Sequence, residues 1–363
     1  MYYFHGRKQS AERKICTFVP MQPTISPQEL QRLRTMLSEA RNVVLTCHQS
    51  PDGDAIGSCL AMQEWLTRKG KQVHVIVPNL FPDFLKWMTH AEDIIIYGRN
   101  YALSRQLLMM ADLVVALDYN DPSRLNELGD LVLRSKARKL LIDHHEQPKH
   151  FCDLEISRPK MSSTCELLFR LLNQLGEERN ISKACAEDLY AGMCTDTGKF
   201  TYNSNDPDTF VVISQLMRKG IDKDRIIRNL YNQQREGRLR LMGYMLSEKL
   251  IVWPGLHASL FAITKEEQER FAYMKGDAEG FVNIPLEIKG MKLSISLRDD
   301  TEKGEVSVSI RSVDDFSAVE VAKRFFNGGG HFNAAGGRLA CSMNEAIEIA
   351  KQAIEAYREQ LMA

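Results

Sequence analysis

Residues 48–58 read HQSPDGDAIGS, which crowds His48, Asp52 and Asp54 around one turn. Carboxylates this close repel one another, and a cation held between them would offset the repulsion. The rest of the chain supplies partners of the same kind: Asp118 in VALDYND, Asp143, His144 and His145 in IDHHEQP, and Asp196 in CTDTGKF. Imidazole together with several carboxylates is a ligand set for Mn²⁺ or a similar octahedral ion. The number of acids argues for two ions sharing a bridging aspartate, and two ions about 3.5–4 Å apart are a common device for cleaving phosphate esters. Each signal alone is weak. A D-x-D after a strand is often a turn or a helix cap, and a paired His is often surface or satisfied core. Four such signals in one chain, several of them at the ends of apolar runs, carry the reading together.

The elements that must position these residues follow from periodicity. Ser26-Pro27 followed by QELQRLRTMLSEA predicts a capped helix with Pro in its first turn. NVVLTCH then reads as a buried strand ending at His48. The segment DAIGSCLAMQEWLTRKG has helical spacing of Ile56, Cys59, Leu60 and Leu66 and stops at Gly70, and VHVIVP is the next strand. ADLVVALDYND and ARKLLIDHHEQP repeat the pattern, ending at Asp118 and at Asp143-His144-His145. Helices are expected over Ser162–Leu175 and Ser182–Cys194, the second running into Asp196. Strands alternating with helices predict a parallel sheet covered on both faces. Ligands of such sheets bind beyond the carboxyl ends of the strands, where these loops converge.

Past this region the pattern changes. LYNQQREGRLRLMGYMLSEKL reads as one long polar connecting helix with Leu230, Leu239, Met242 and Leu246 as its apolar positions. Strands are expected in KLIVWPGLHASLFAIT, MKLSISLRD and GEVSVSIRS, helices in AVEVAKRFF and NEAIEIAKQAIEAYREQL, and a glycine-rich turn in FNGGGHFNAAGGR. The fold class is therefore α/β: an N-terminal domain with a helix-covered parallel sheet, a helical linker and a smaller C-terminal α/β domain. The boundaries are 1–24 for a poorly ordered extension, 25–228, 229–249 and 250–363. Met21 is an alternative start, and His5 belongs to the extension and is not a ligand.

Composition narrows the function. The chain has 363 residues, and Lys plus Arg equals Asp plus Glu at 47 each, for a net charge of zero. A protein that coats long nucleic acid carries a basic surplus, so any nucleic-acid ligand here is short or locally gripped. Eight Cys are scattered with no C-x-x-C pair, which argues against a zinc ribbon and fits buried thiols in the reducing cytoplasm. No stretch has the length of a membrane span, and the first twenty residues lack the apolar run of a signal peptide.

HQSPDGDAIGS, VALDYNDPSR, IDHHEQP and CTDTGKF, in this order, resemble the successive motifs of the DHH phosphoesterases, and FNGGGHFNAAGGR resembles the signature of the DHHA1 domain that follows in one subgroup. The resemblance covers almost the whole chain after Met21. Size and arrangement are similar to the stand-alone oligoribonuclease (nanoRNase) and pAp phosphatase group, whose members hydrolyse very short oligonucleotides, linear dinucleotides and 3′-phosphoadenosine 5′-phosphate. The resemblance implies that His48, Asp52 and Asp118 hold one metal, and that Asp54, Asp118, His144 and Asp196 hold the other, with Mn²⁺ as the first choice. It implies that Asp143 orients a ligand His and that His145 sits near the leaving oxygen. Spacing alone does not give that division.

For the substrate, the resemblance points to Gly328, Gly329, Gly330 and His331, and to Arg311 in SVSIRS as the partner of a terminal phosphate. Triple Gly allows close approach of backbone N–H groups to an anion, and a guanidinium fork suits phosphate. Arg298 in SISLRD is a rival with a similar local context, and its spacing to GGGH fits the family less well. Two domains with half a site each would select short ligands. The resemblance is also compatible with a homodimer. The rival readings are a RecJ-like exonuclease, which would be longer and carry a nucleic-acid-binding module; a family II pyrophosphatase, which would lack GGGH; an exopolyphosphatase-like activity; and a nucleotide sensor without catalysis.

Overall fold

The computed structural model describes residues 21–300 and 304–363. The chain divides into two compact units between Gln233 and Gln234. Of the expected extension over 1–24, residues 1–20 lie outside the described residues. Met21 packs on the core of the first unit, and the Thr24 and Ile25 amides both donate to Gln174 Oε1, at 3.0 and 3.2 Å.

The first unit carries β1 (Asn42–Thr46), β2 (Gln72–Val77), β3 (Ile95–Ile96), β4 (Leu113–Leu117), β5 (Arg138–Asp143) and β6 (Leu154–Ser157). All pair in parallel, in the order β3-β2-β1-β4-β5-β6. β4 is buried at every residue, as a parallel strand covered on both faces must be. Alternate strand residues serve opposite faces. Val43, Leu45, Val115 and Ile142 pack with helices Pro27–Glu39, Gly53–Arg68, Thr164–Gln174 and Lys183–Asp196. Val44, Val114 and Leu141 pack with helices Tyr101–Met110 and Glu127–Arg134. The first helix starts as expected, with a reciprocal cap between Ser26 and Glu29.

The strand order reverses between β1 and β4. The chain moves outward through β2 and β3, then returns to build β4, β5 and β6 on the other side. Connections leaving adjacent strands in opposite directions open a crevice at their carboxyl ends. His48 and Asp118 follow the two strands that flank this reversal.

Helices Gly53–Arg68 and Lys183–Asp196 pass unusually close. A Cβ at Gly57 would lie 2.7 Å from the Asp188 carbonyl oxygen, and one at Gly192 would lie 3.1 Å from Asp54 Cα. Only glycine allows this approach, and it brings the start of one helix, with Asp54, beside the end of the other, with Asp196.

The second unit is a mixed sheet in the order β11-β12-β10-β9-β8-β7. Its strands are β7 (Ile251–Trp253), β8 (Ala258–Ile263), β9 (Leu293–Asp300), β10 (Glu305–Ser312), β11 (Gly329–Gly330) and β12 (Ala334–Leu339). Among the described residues of this unit, only β8 and β9 pair in parallel. β10 alternates cleanly, with Val306, Val308 and Ile310 in the core beneath helices Ala318–Phe325 and Met343–Ala356. None of the described helices is long and apolar enough to cross a membrane.

Two expectations need correction. The segment 230–249 is not one helix. A helix ends at Tyr231, another spans Glu236–Tyr244, and a π-type turn follows over Met245–Lys249. Of the expected apolar positions, Leu230 is buried in the first unit's core and Met242 packs on the second's, but Leu239 and Leu246 are exposed. The fully buried pair is Leu241 and Met245, packed with Phe261 and Phe281. A helical face is set by residues four apart, and here the second unit's core selects a different pair from the expected one. The glycine-rich segment is also more ordered than a turn, because β11 and β12 form a short hairpin within it.

Candidate metal centre

Each functional side chain is placed by the element that precedes it. His48 lies two residues beyond β1. Its Nδ1 sits 2.8 Å from the Gln49 carbonyl oxygen. A carbonyl only accepts, so Nδ1 carries the hydrogen and Nε2 faces Asp118 Oδ2 at 3.4 Å and Asp52 Oδ2 at 3.8 Å. Asp52 caps the helix Gly53–Arg68: its Oδ1 accepts from the Asp54 and Ala55 amides at 3.0 and 3.1 Å. One oxygen therefore starts a helix while the other faces the cluster. This explains why P-D-G-D follows the strand.

Asp118 is the first residue beyond β4. Its N–H donates to the Ile142 carbonyl of β5 at 3.2 Å, and its φ is +64°. A left-handed residue other than glycine is uncommon, and Asp and Asn bear it best. The buried carboxylate faces three imidazoles. Its Oδ2 meets His48, and its Oδ1 lies 3.6 Å from His144 Nε2 and 3.7 Å from His145 Nδ1.

Asp143 ends β5 and is fully buried. Its Oδ1 accepts from His145 Nδ1 at 2.7 Å and its Oδ2 from the His145 amide at 3.0 Å. The carboxylate thus orients His145. His144 is oriented instead by a backbone carbonyl, that of Met161, 3.2 Å from Nδ1. His144 Nε2 reaches Asp196 Oδ2 at 3.4 Å. Asp54 is fully buried, with Oδ2 and Oδ1 accepting the Thr164 and Cys165 amides at 2.6 and 2.9 Å.

The electrostatics show a cluster short of positive charge. Burial favours neutral His48, yet Asp118 and Asp52 beside it push its pKa up to about 10. Against the same burial, Asp118 and Asp196 raise His144 to about 9. Burial and then the Asp118 charge push Asp54 up to about 7, and burial and Asp54 raise Asp196. Asp118 resists burial and is held well below the carboxylate range by His48 and the other rings. In effect the cluster takes up protons where a cation would serve.

The donors fit a divalent metal. His48, Asp52 and Asp118 offer ligand atoms within 4.8 Å of one another; so do Asp54, His144 and Asp196, and so do Asp118, His144 and His145. Both His48 and His144 have Nδ1 fixed on a carbonyl and Nε2 turned inward, the usual orientation of a ligand imidazole. The sequence reading missed the segment that holds them. Met161, Thr164 and Cys165 contact His144, Asp118 and Asp54, and the run Ser162-Ser163-Thr164 at a helix start was a signal for N–H groups facing anions.

In the second unit, Arg311 ends the exposed face of β10, opposite Ala334 of β12 and Ser294 of β9. Its Nη1 donates to the Ile310 carbonyl at 2.9 Å. Gly329 and Gly330 pair with Gly336 and Ala335, and the His331 amide closes the hairpin on the Ala334 carbonyl at 2.8 Å. Gly328 has a packing task as well, since a Cβ there would collide with the Gly336 carbonyl. Gly329, Gly330 and the His331 residue are exposed. Arg298 lies opposite Ser307, four residues along β10 from Arg311, and its guanidinium covers the Tyr273 ring at 5.3 Å. Arg311, not Arg298, shares the end of the sheet with the glycine hairpin.

Residues 42–193 match the DHH family, N-terminal domain, and residues 261–357 match the DHHA1 domain. The chain belongs to the DHH family of phosphoesterases and is a phosphoric ester hydrolase. The bifunctional oligoribonuclease and PAP phosphatase NrnA of Thermus thermophilus is 30% identical to it over 320 residues, covering 88% of this chain and 90% of that protein. The crystal structure of an exopolyphosphatase-related protein from Bacteroides fragilis is 47% identical, with a TM-score of 0.92, and covers 94% of this chain and 100% of that one. RecJ from Thermus thermophilus, crystallised with Mn²⁺, shares the fold at 14% identity and a TM-score of 0.54, over 94% of this chain and 56% of RecJ.

Proposed function

We propose that this protein hydrolyses very short oligoribonucleotides and linear dinucleotides such as pApA or pGpG, and removes the 3′-phosphate of 3′-phosphoadenosine 5′-phosphate. The products are nucleoside monophosphates. His48, Asp52 and Asp118 hold one divalent ion, and Asp54, Asp118, His144 and Asp196 hold a second, with Mn²⁺ preferred. When bound, the ions supply positive charge to the phosphate oxygens and make water a better nucleophile. The chain's own residues do the rest. Asp143 accepts the Nδ1 hydrogen of His145, and His145 in its doubly protonated form gives the Nε2 proton to the leaving oxygen. Arg311, His331 and the exposed backbone of Gly329–Gly330 bind a phosphate of the substrate, while the Gly328 amide donates to the Ala322 carbonyl at 3.1 Å and serves packing.

The observation that carries this reading is the carboxylate of Asp118. It stands where the strand order reverses and faces both ligand groups at once. The likeness to NrnA over nearly its full length supports the choice of substrate class. The zero net charge supports short ligands, because a track for long RNA is built from basic residues. The free cysteines among the described residues support a cytoplasmic location.

Polyphosphate is the second reading, favoured by the 47% identical exopolyphosphatase-related structure. One assay tests both: initial rates with Mn²⁺ on an RNA length series beside 3′-phosphoadenosine 5′-phosphate, pyrophosphate and polyphosphate. Faster release from polyphosphate than from any dinucleotide would replace the first reading with the second.

A further inference from the structure

Three residues of the turn 161–165, Met161, Thr164 and Cys165, touch three of the proposed metal ligands without supplying a ligand themselves. The Met161 carbonyl fixes His144 Nδ1, the Thr164 hydroxyl donates to Asp118 Oδ1 at 3.0 Å, and the Thr164 and Cys165 amides hold the two oxygens of Asp54. A carboxylate cannot donate, so the Thr164 hydrogen points at Asp118. That bond matters because the last torsion of an aspartate is broad and poorly fixed by its own rotamer preference. With Oδ1 tied to Thr164, Oδ2 is left turned toward His48.

The turn is itself pinned from behind. Glu166 is fully buried and accepts from the Ser162 amide at 3.3 Å, from the Ser162 hydroxyl, from Thr209 Oγ1 at 3.0 Å and from Arg170 Nε at 2.8 Å. Ser163 caps the helix by accepting the Glu166 amide at 3.0 Å. Arg170 continues to Asp206 at 2.9 Å and Asp208 at 3.4 Å. A buried ion pair is a poor source of stability in general. This one fixes the residues that fix Asp54 and Asp118.

We propose that Thr164 is a positioning residue of the metal centre, its hydroxyl and amide setting Asp118 relative to Asp54, and that Glu166 with Arg170 acts through it. The inference rests on the metal reading above, and the test separates the two. Mn²⁺ alone is titrated by calorimetry into the metal-free full-length protein, as wild type, Thr164→Val and Thr164→Ser. Thr164→Val, which keeps shape and loses the donor, should weaken Mn²⁺ binding by about tenfold or more, as loss of a ligand-orienting partner does. Thr164→Ser should restore it, while the metal-free proteins unfold at similar temperatures. Glu166→Gln should weaken binding too, and adding it to Thr164→Val should cost less than the two separate losses combined.

Wild-type affinity in Thr164→Val, or equal loss in Val and Ser, overturns the role of the hydroxyl. Full additivity with Glu166→Gln overturns the link from Glu166 to Thr164. If Thr164→Val does not fold, Thr164→Ala removes the donor without bulk and must show the same loss. Failure of the wild type to bind Mn²⁺ at all would instead overturn the centre.

Discussion

Asp118→Asn is the sharpest test of the centre. Asn tolerates the left-handed backbone at this position, where φ is +64°, and fills the same buried volume. The change is therefore one of charge and lone pairs. An amide has a single acceptor oxygen, and the Thr164 hydroxyl, 3.0 Å from Oδ1, will hold it on the side of His144. The NH₂ group then faces His48 and Asp52, where a cation should bind. Bound Mn²⁺ should fall from two ions per chain to one, with the ion at His48 lost. One ion contributes several kcal/mol of charge stabilisation, about 4 taken as a working value, and about 1.4 kcal/mol is tenfold in rate. The expected loss in kcat/KM on a dinucleotide is about a thousandfold. The assay pairs metal content by mass spectrometry of the native protein with initial rates, and circular dichroism checks the fold. Two bound ions and turnover within about tenfold of wild type would refute the bridging role of Asp118.

Arg311→Ala and His331→Ala should each lower kcat/KM by about tenfold or more, the worth of a charge-assisted phosphate contact, while Mn²⁺ content stays at the wild-type level; loss of metal would place the residue wrongly. His48 and His144, raised to about 10 and 9 in the metal-free protein, are protonated at neutral pH. Metal must displace those protons, so Mn²⁺ affinity should rise from about pH 6 to about pH 8, with protons released to the buffer; calorimetry in two buffers of different ionisation enthalpy measures both, and pH-independent affinity would contradict the assignment. Initial rate against RNA length should peak at two to a few nucleotides, with a shallow salt dependence set by the few phosphates gripped. Rapid digestion of long strands with a steep salt slope would favour the RecJ-like alternative.

The candidate ligands stand out in the sequence because each contrasts with what precedes it. Asp118 interrupts LVVAL, and Asp143-His144-His145 ends KLLI, so both the strand and its exit could be read from one line of residues. Alternation of strand and helix predicted the parallel sheet and the convergence of these loops beyond its carboxyl ends, whereas the reversal of strand order between β1 and β4 depends on pairing that alternation does not encode. The support of the ligands was less legible. Thr164 and Cys165 act through backbone amides and a hydroxyl, which in sequence look like an ordinary helix cap. The buried phase of 236–249 was misread because Leu239, Leu241, Met242 and Leu246 offer two competing stripes, and only the position of Phe261 and Phe281 chooses between them. β3 and β6, of two and four residues, are too short to show a period.

The glycine crossing between helices 53–68 and 183–196 bears on how freely this chain can vary. At position 192 a single added carbon would meet Cys165 Sγ and stand 3.0 Å from Asp54 Oδ1; at position 57 it would meet the Asp188 carbonyl. Relief of the clash at 57 moves helix 53–68 away from helix 183–196, and relief at 192 displaces Cys165 of helix 164–174 and Asp54 itself. An alanine at either position would shift the candidate ligand Asp54 although neither glycine offers a side chain to a metal. Sites of this kind look in a sequence like neutral packing, and in a library of variants they would score like the candidate ligands themselves.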